Sequence, residues 1–107
     1  MSISTHILDT SLGKPAAGVP VQLEHAGLVL ARGTTDSDGR IRDLGPRVGL
    51  PAGDYRLVFE VREYLAGKGA DPLYPEVVVS FTIRDGAEPY HLPLLLSPFG
   101  YSTYRGS

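Results

Sequence analysis

Tyr104-Arg105-Gly106-Ser107 brings a phenol, a guanidinium, a flexible glycine and a hydroxyl to the end of the sequence, with a free carboxylate expected behind them. They directly follow Leu92–Thr103, which holds a core-grade apolar run, a Pro/Gly turn and a Tyr/Thr-rich segment. A terminus frays unless something ties it down, and a rigid strand is an odd place to gather polar groups for stability alone. Two readings stand side by side. The segment is either a solubilising tail on an edge strand or a set of groups delivered to a site.

The histidines sharpen the question. On an expected strand Ser2–Asp9, strict alternation sets Ile3, Thr5 and Ile7 on one face and Ser4, His6 and Leu8 on the other. On an expected strand Tyr90–Leu96, the core face is Leu92, Leu94 and Leu96, which leaves His91, Pro93 and Leu95 outside. Both imidazoles thus project from outer faces beside leucines, and an apolar outer face of that kind calls for a cover. An imidazole pair titrating near neutrality suits general acid–base work; two histidines at a surface or an interface explain the same placement. His25 falls at a turn and is expected to be solvated.

Arg40 follows Asp36-Ser37-Asp38-Gly39. It is either a turn-flanking arginine paired with a neighbouring aspartate or a planar fork for carbonyl and carboxylate oxygens. The two aspartates lack the later ligands of a calcium loop, so a polar turn is the expectation there. The sequence holds no glycine-rich phosphate loop, no His-Glu-x-x-His zinc motif and no nucleophile elbow.

The elements that must position these groups read as short strands between turn signals. Val19–His25 and Leu28–Thr34 flank an Ala26-Gly27 hairpin turn, and Arg40–Leu44 is a short segment. Thr10–Gly18 and Gly45–Gly53 read as loops. Asp54–Val61 sets Tyr55, Leu57 and Phe59 on one face, and Val77–Ile83 is β-branched. Arg62–Lys68 is the single expected helix, of about two turns. Tyr90–Leu96 and Tyr101–Tyr104 complete roughly eight strands, an all-β sandwich. Pro93 cannot donate to a ladder, so its position requires an edge, a bulge or a local gap.

Composition bounds the rest. The 107 residues suffice for one domain spanning 1–107, able to bury about 60–70% of its unfolded surface without staples. The net charge is -2 with no basic stripe, which speaks against nucleic acid as a partner. The absence of cysteine removes disulfides and thiolate chemistry. With no secretory signal and no apolar run near ~20 residues, a membrane role is not expected and the cytoplasm is the default location.

Beyond this point the residues resemble a known family. Ser4-Thr5-His6-Ile7-Leu8-Asp9, Gly13-Lys14-Pro15-Ala16, Thr35–Ile41, Gly53-Asp54-Tyr55-Arg56, Phe81, His91–Ser97 and Tyr101–Ser107 are similar to the transthyretin-like family across essentially the whole chain. The terminal Tyr-Arg-Gly-Ser marks the hydrolases of that family rather than its hormone carriers. The resemblance implies a β-sandwich of two four-stranded sheets with one short helix, assembled as a homotetramer (a dimer of dimers) around a central channel. It also implies hydrolytic opening of the cyclic amide of 5-hydroxyisourate, a small-molecule substrate from urate oxidation, with no metal and no cofactor. His6 or His91 is then the base, with the other orienting water or relaying a proton. Arg40 binds substrate oxygens together with His6, Tyr104 contacts the substrate, Ser107 fixes the water or the tail, and Arg105 anchors the tail. The alternative within the same fold is a carrier that holds small hydrophobic ligands in the channel.

Overall fold

The chain alternates inward and outward side chains along β1, Ile3–Asp9, and that strand organises the molecule. Ile3, Thr5, Ile7 and Asp9 are buried while Ser4, His6 and Leu8 are half-buried on the other face. The computed structural model describes residues 3–45 and 49–107, so the expected start at Ser2 and the 46–48 part of the expected Gly45–Gly53 loop lie outside the described residues. The remaining elements are β2 (Lys14–Pro15), β3 (Pro20–His25), β4 (Leu28–Thr34), β5 (Arg40–Ile41), β6 (Gly53–Phe59), α1 (Arg62–Gly67), β7 (Val77–Ile83), β8 (Tyr90–His91), β9 (Leu94–Ser97) and β10 (Gly100–Thr103).

Two sheets pack face to face. One is four-stranded and antiparallel in the order β4-β3-β6-β7. The other follows the four-strand path β10-β9-β1-β2, with the two-residue strands β5 and β8 also pairing with β1. The core lies between them, where Ile3, Ile7, Leu94 and Leu96 from one sheet share a cluster with Leu23, Leu57, Phe59 and Val79 from the other.

Several expectations need correction, each for a backbone reason. The expected strand Tyr90–Leu96 is two strands, because Leu92 and Pro93 leave the ladder. The gap that proline demands is filled by hydroxyls: Thr5 Oγ1 donates to the Leu92 carbonyl at 2.7 Å, and Thr103 Oγ1 to the Pro93 carbonyl at 2.7 Å. Pro93 is consequently buried rather than on the outer face with His91 and Leu95. The expected Thr10–Gly18 loop contains β2, which pairs Leu8 with Pro15 and Asp9 with Lys14. His25 is not simply solvated, since its ring stacks on Tyr55 at 4.2 Å and Nδ1 lies 2.9 Å from the Asp54 carbonyl.

The far end of β1 is pinned by a buried carboxylate. Asp9 is 1% exposed. Its Oδ1 accepts from the Ser11 hydroxyl at 2.7 Å and from the Ser11 and Leu12 amides at 3.1 Å each, and Oδ2 accepts from Tyr64 of α1 at 2.8 Å. Burial alone pushes this carboxyl up, but the four hydrogen bonds outweigh it and hold the group below its ordinary range. The resulting stabilisation is therefore complete above the unfolded value of 3.8 and is lost as pH falls through the depressed folded value. Asp9→Ala is expected to destabilise the fold by roughly 2–4 kcal/mol, since it removes four hydrogen bonds to a buried carboxylate that tie the turn after β1 to Tyr64 of α1. Chemical denaturation at neutral pH checks the size, and an unchanged midpoint rejects the pin.

Candidate active site

The polarity of β1 decides which groups meet on its outer face. In a strand, successive residues direct their backbone groups to opposite edges. Ile3 and Ile7 bond toward one edge, where the Leu44 amide donates to the Ile3 carbonyl at 2.7 Å and the Ile7 amide to the Gly39 carbonyl at 2.8 Å. Ser4 bonds toward the other, where its carbonyl accepts from the Leu92 amide at 2.9 Å. The register pairs His6 with Arg40 of β5 on the first edge and Ser4 with His91 of β8 on the second. Paired residues share a sheet face, so Ser4, His6, Arg40 and His91 converge on the half-buried outer surface that also carries Leu8 and Leu95.

Arg40 is delivered there by a tight turn. Asp36 Oδ1 accepts from the Asp38 amide at 2.9 Å and the Arg40 amide at 3.0 Å, and those donors, the Arg40 amide first, hold its carboxyl below the ordinary value against a smaller effect of desolvation. Gly39 adopts φ +75, and a Cβ there would lie 2.5 Å from the Ile7 carbonyl oxygen. Only glycine lets this turn press on β1 and open the strand at Arg40. The aspartate-pairing role goes to Arg42, which lies 3.8 Å from Asp38. Arg40 makes no such pair among the described residues and instead faces a recess of about 350 Å³ with Ser4, Thr5, Ile41, Arg42, His91 and Ser107.

The C-terminal segment returns to this surface after β10. The Gly106 amide donates to the His91 carbonyl at 2.7 Å, as an isolated antiparallel bridge. Arg105 anchors it, as expected for the tail: its Nη2 donates to Glu88 Oε2 and to the Pro89 carbonyl at 3.1 Å each, and its guanidinium lies 4.2 Å from the centre of the Tyr90 ring. Ser107 lines both the recess beside Arg40 and an adjoining one of about 620 Å³ with Glu88, Pro89 and His91.

Arg40, His91 and Ser107 line the first recess together, and Arg105 lines the adjoining one with His91 and Ser107. His6 and Tyr104 line neither: His6 shares the sheet face through its pairing with Arg40, whereas Tyr104 is 55% exposed. Sequence reasoning missed Ser4, whose Oγ sits 2.8 Å from His91 Nδ1, and the Glu88–Tyr90 seat of Arg105. The only signal for Ser4 was its shared outer face with His6.

Electrostatics favour a neutral His91. Partial burial pushes its imidazole below the ordinary value, and the facing charges of Arg40 and His6 push the same way, against a hydrogen bond to the Ser4 backbone. A base available at neutral pH, beside a cationic fork and a second imidazole, is suited to activating water and stabilising a developing oxyanion. Among the described residues no cluster of three metal-binding side chains occurs, and no helix is long and apolar enough to cross a membrane.

Residues 3–106 of this sandwich match the HIUase/Transthyretin family. The chain belongs to that family. It is 49% identical over 109 residues to the 5-hydroxyisourate hydrolase of Salmonella dublin, covering 98% of this chain and 80% of that protein. It is 44% identical over 113 residues to the 5-hydroxyisourate hydrolase of Deinococcus radiodurans, covering 98% and 95%. The solved Klebsiella pneumoniae 5-hydroxyisourate hydrolase superposes with TM-score 0.90 at 42% identity, covering all of both chains. Sea bream transthyretin in complex with thyroxine superposes with TM-score 0.89 at 33% identity, covering 99% and 95%.

Proposed function

We propose that His6, Arg40, His91 and the docked tail form the catalytic site of a hydrolase acting on 5-hydroxyisourate, within a single domain of residues 1–107. The protein is an enzyme that opens the cyclic amide of this urate-derived ring, giving 2-oxo-4-hydroxy-4-carboxy-5-ureidoimidazoline. The observation that carries the site assignment is the convergence of His6, Arg40 and His91 on one outer face, with Gly106 bridged onto His91. A carrier of apolar ligands has no use for that set.

In this reading His91 takes a proton from water as the oxygen adds to the amide carbonyl carbon. Arg40 holds the carbonyl oxygen and the charge that develops on it. His6 orients the water or relays the proton, which passes to the ring nitrogen as the carbon–nitrogen bond breaks. Ser107 hydrogen-bonds the water. Tyr104 contacts the substrate bound at a neighbouring subunit's cleft, in a cytoplasmic homotetramer built as a dimer of dimers. The half-buried Leu8 and Leu95 beside the site support such a cover.

The test is the initial rate of loss of the near-ultraviolet absorbance of freshly generated 5-hydroxyisourate. A protein that leaves the spontaneous decay unchanged overturns the proposal. Arg40→Lys is expected to lower kcat/KM by about 10–100-fold with an unchanged melting temperature, because lysine keeps the charge but loses the planar fork. Steady-state kinetics with thermal denaturation checks this, and a neutral result returns Arg40 to the turn.

A further inference from the structure

We infer that Ser4 is a positioning residue for His91, fixing the imidazole so that Nε2 is the working nitrogen. This rests on the reading of His91 as the base.

The ring is gripped on two sides. Ser4 Oγ lies 2.8 Å from Nδ1, and the register and the 2.9 Å bond from the Leu92 amide to the Ser4 carbonyl hold the two backbones together. On the opposite edge the Gly106 backbone is flush against the ring. A Cβ at that glycine would fall 2.6 Å from Cδ2 and 3.4 Å from Cγ, so any larger residue must push the imidazole away. Nδ1, Cγ and Cδ2 are thereby occupied. Nε2 has no hydrogen-bond partner among the described residues and is the nitrogen left for substrate and water.

The role of base requires one of the two tautomers that the hydroxyl can serve. With Nδ1–H donating to Ser4 Oγ, the lone pair sits on Nε2 and can accept a proton from water. After that transfer both nitrogens carry protons and the Nδ1–H bond persists. The opposite orientation, Oγ donating to Nδ1, would leave Nε2–H as a donor and no base. Serine accepts throughout the cycle without becoming charged, so it steadies the imidazolium without trapping it.

The charged groups facing His91 are His6 from β1, Arg40 and Arg42 from β5 and the residue after it, and Glu88 and Arg105 beside the tail. Arg40 disfavours the protonated ring, whereas a hydrogen bond to the Ser4 backbone, which Ser4→Ala retains, favours it. Arg40→Gln therefore shifts the acid limb of the pH profile to higher pH, while loss of the Ser4 hydroxyl acts on the placement of the ring.

The experiment uses the full chain with Ser4→Ala, Ser4→Thr, Arg40→Gln and His91→Ala. Circular dichroism and gel filtration control for folding, and nitrogen-15 NMR reads the His91 tautomer in the unmutated protein. Ser4→Ala is expected to lower kcat by about 10–100-fold with little change in KM. Ser4→Thr restores most of the turnover. The unmutated protein shows Nδ1–H with an unprotonated Nε2 above the limb. An Nε2–H tautomer in that spectrum overturns the inference whatever the variants do. Unchanged kcat in Ser4→Ala, alongside an inactive His91→Ala, overturns the positioning role and leaves the base in place. Full turnover in His91→Ala removes the base and the role of Ser4 with it.

Discussion

His91→Ala is expected to slow the opening of 5-hydroxyisourate by about 10²–10⁴-fold, the usual effect of losing a positioned general base. The fold should survive, because the side chain is half-buried on the outer face and contributes nothing to the leucine core. His6→Ala is expected to fall in the same range and to be equally tolerated, since His6 shares that face. The two differ in pH dependence. An acid limb set by His91 lies below the ordinary histidine value, so activity is held at neutral pH and declines only as the imidazole protonates in more acidic solution. That limb should vanish in the residual activity of His91→Ala and persist in that of His6→Ala. The measurement is kcat/KM against pH on fresh substrate. Near-normal turnover in His91→Ala would remove the base from the mechanism, and an unfolded variant would show that the face had been assigned wrongly.

Deleting residues 104–107 is expected to abolish nearly all hydrolysis while leaving the sandwich intact. Among the described residues, one backbone bond, Gly106 to His91, and the Arg105 contacts with Glu88, Pro89 and Tyr90 tie this segment down, and none of its side chains is in the core cluster. Arg105 and Glu88 are about half exposed, so their ion pair contributes little to stability. What the deletion removes is the backbone wall against the His91 ring and the hydroxyl at Ser107. Circular dichroism and gel filtration should match the full chain, and initial rates should approach the spontaneous decay. Full activity in the truncated protein would reduce the segment to a solubilising tail.

Much of this was legible because the strand period writes burial directly into residue order. The alternation of Ile3, Thr5 and Ile7 against Ser4 and His6 needs no partner to be read, and the observed burial follows it. Pro93 called for an edge, a bulge or a gap for a chemical reason, its missing N–H, and of these the gap is what forms. What could not be read was register. That His6 lies opposite Arg40 and Ser4 opposite His91 depends on hydrogen bonds between distant segments, which leave no local trace. For the same reason Ser4 looked like any serine on an outward face. Of the two readings open for Arg40, the aspartate pair falls instead to Arg42, which lies beside Asp38, while the register sets Arg40 opposite His6 on the sheet. Tyr104 belongs to a segment on which the family resemblance rests, yet a single chain places it outside the recess.

The parallel pairing of β1 with β8 and β9 has a kinetic consequence. Ser4 and His91 are separated by 87 positions, as are Thr5 and Leu92, so nearly the whole polypeptide must be closed into a loop before these contacts form. Closure of that kind is entropically expensive and reached late unless the intervening hairpins have already shortened the path. The antiparallel sheet β4-β3-β6-β7 supplies such hairpin pairings between neighbouring segments. Folding is therefore expected to build that sheet first and to join the two terminal regions last. Enzymatic turnover would then appear only in the final phase of refolding, after most of the secondary structure has returned. On a ribosome, β1 would wait without its parallel neighbours until β8 and β9 had been synthesised.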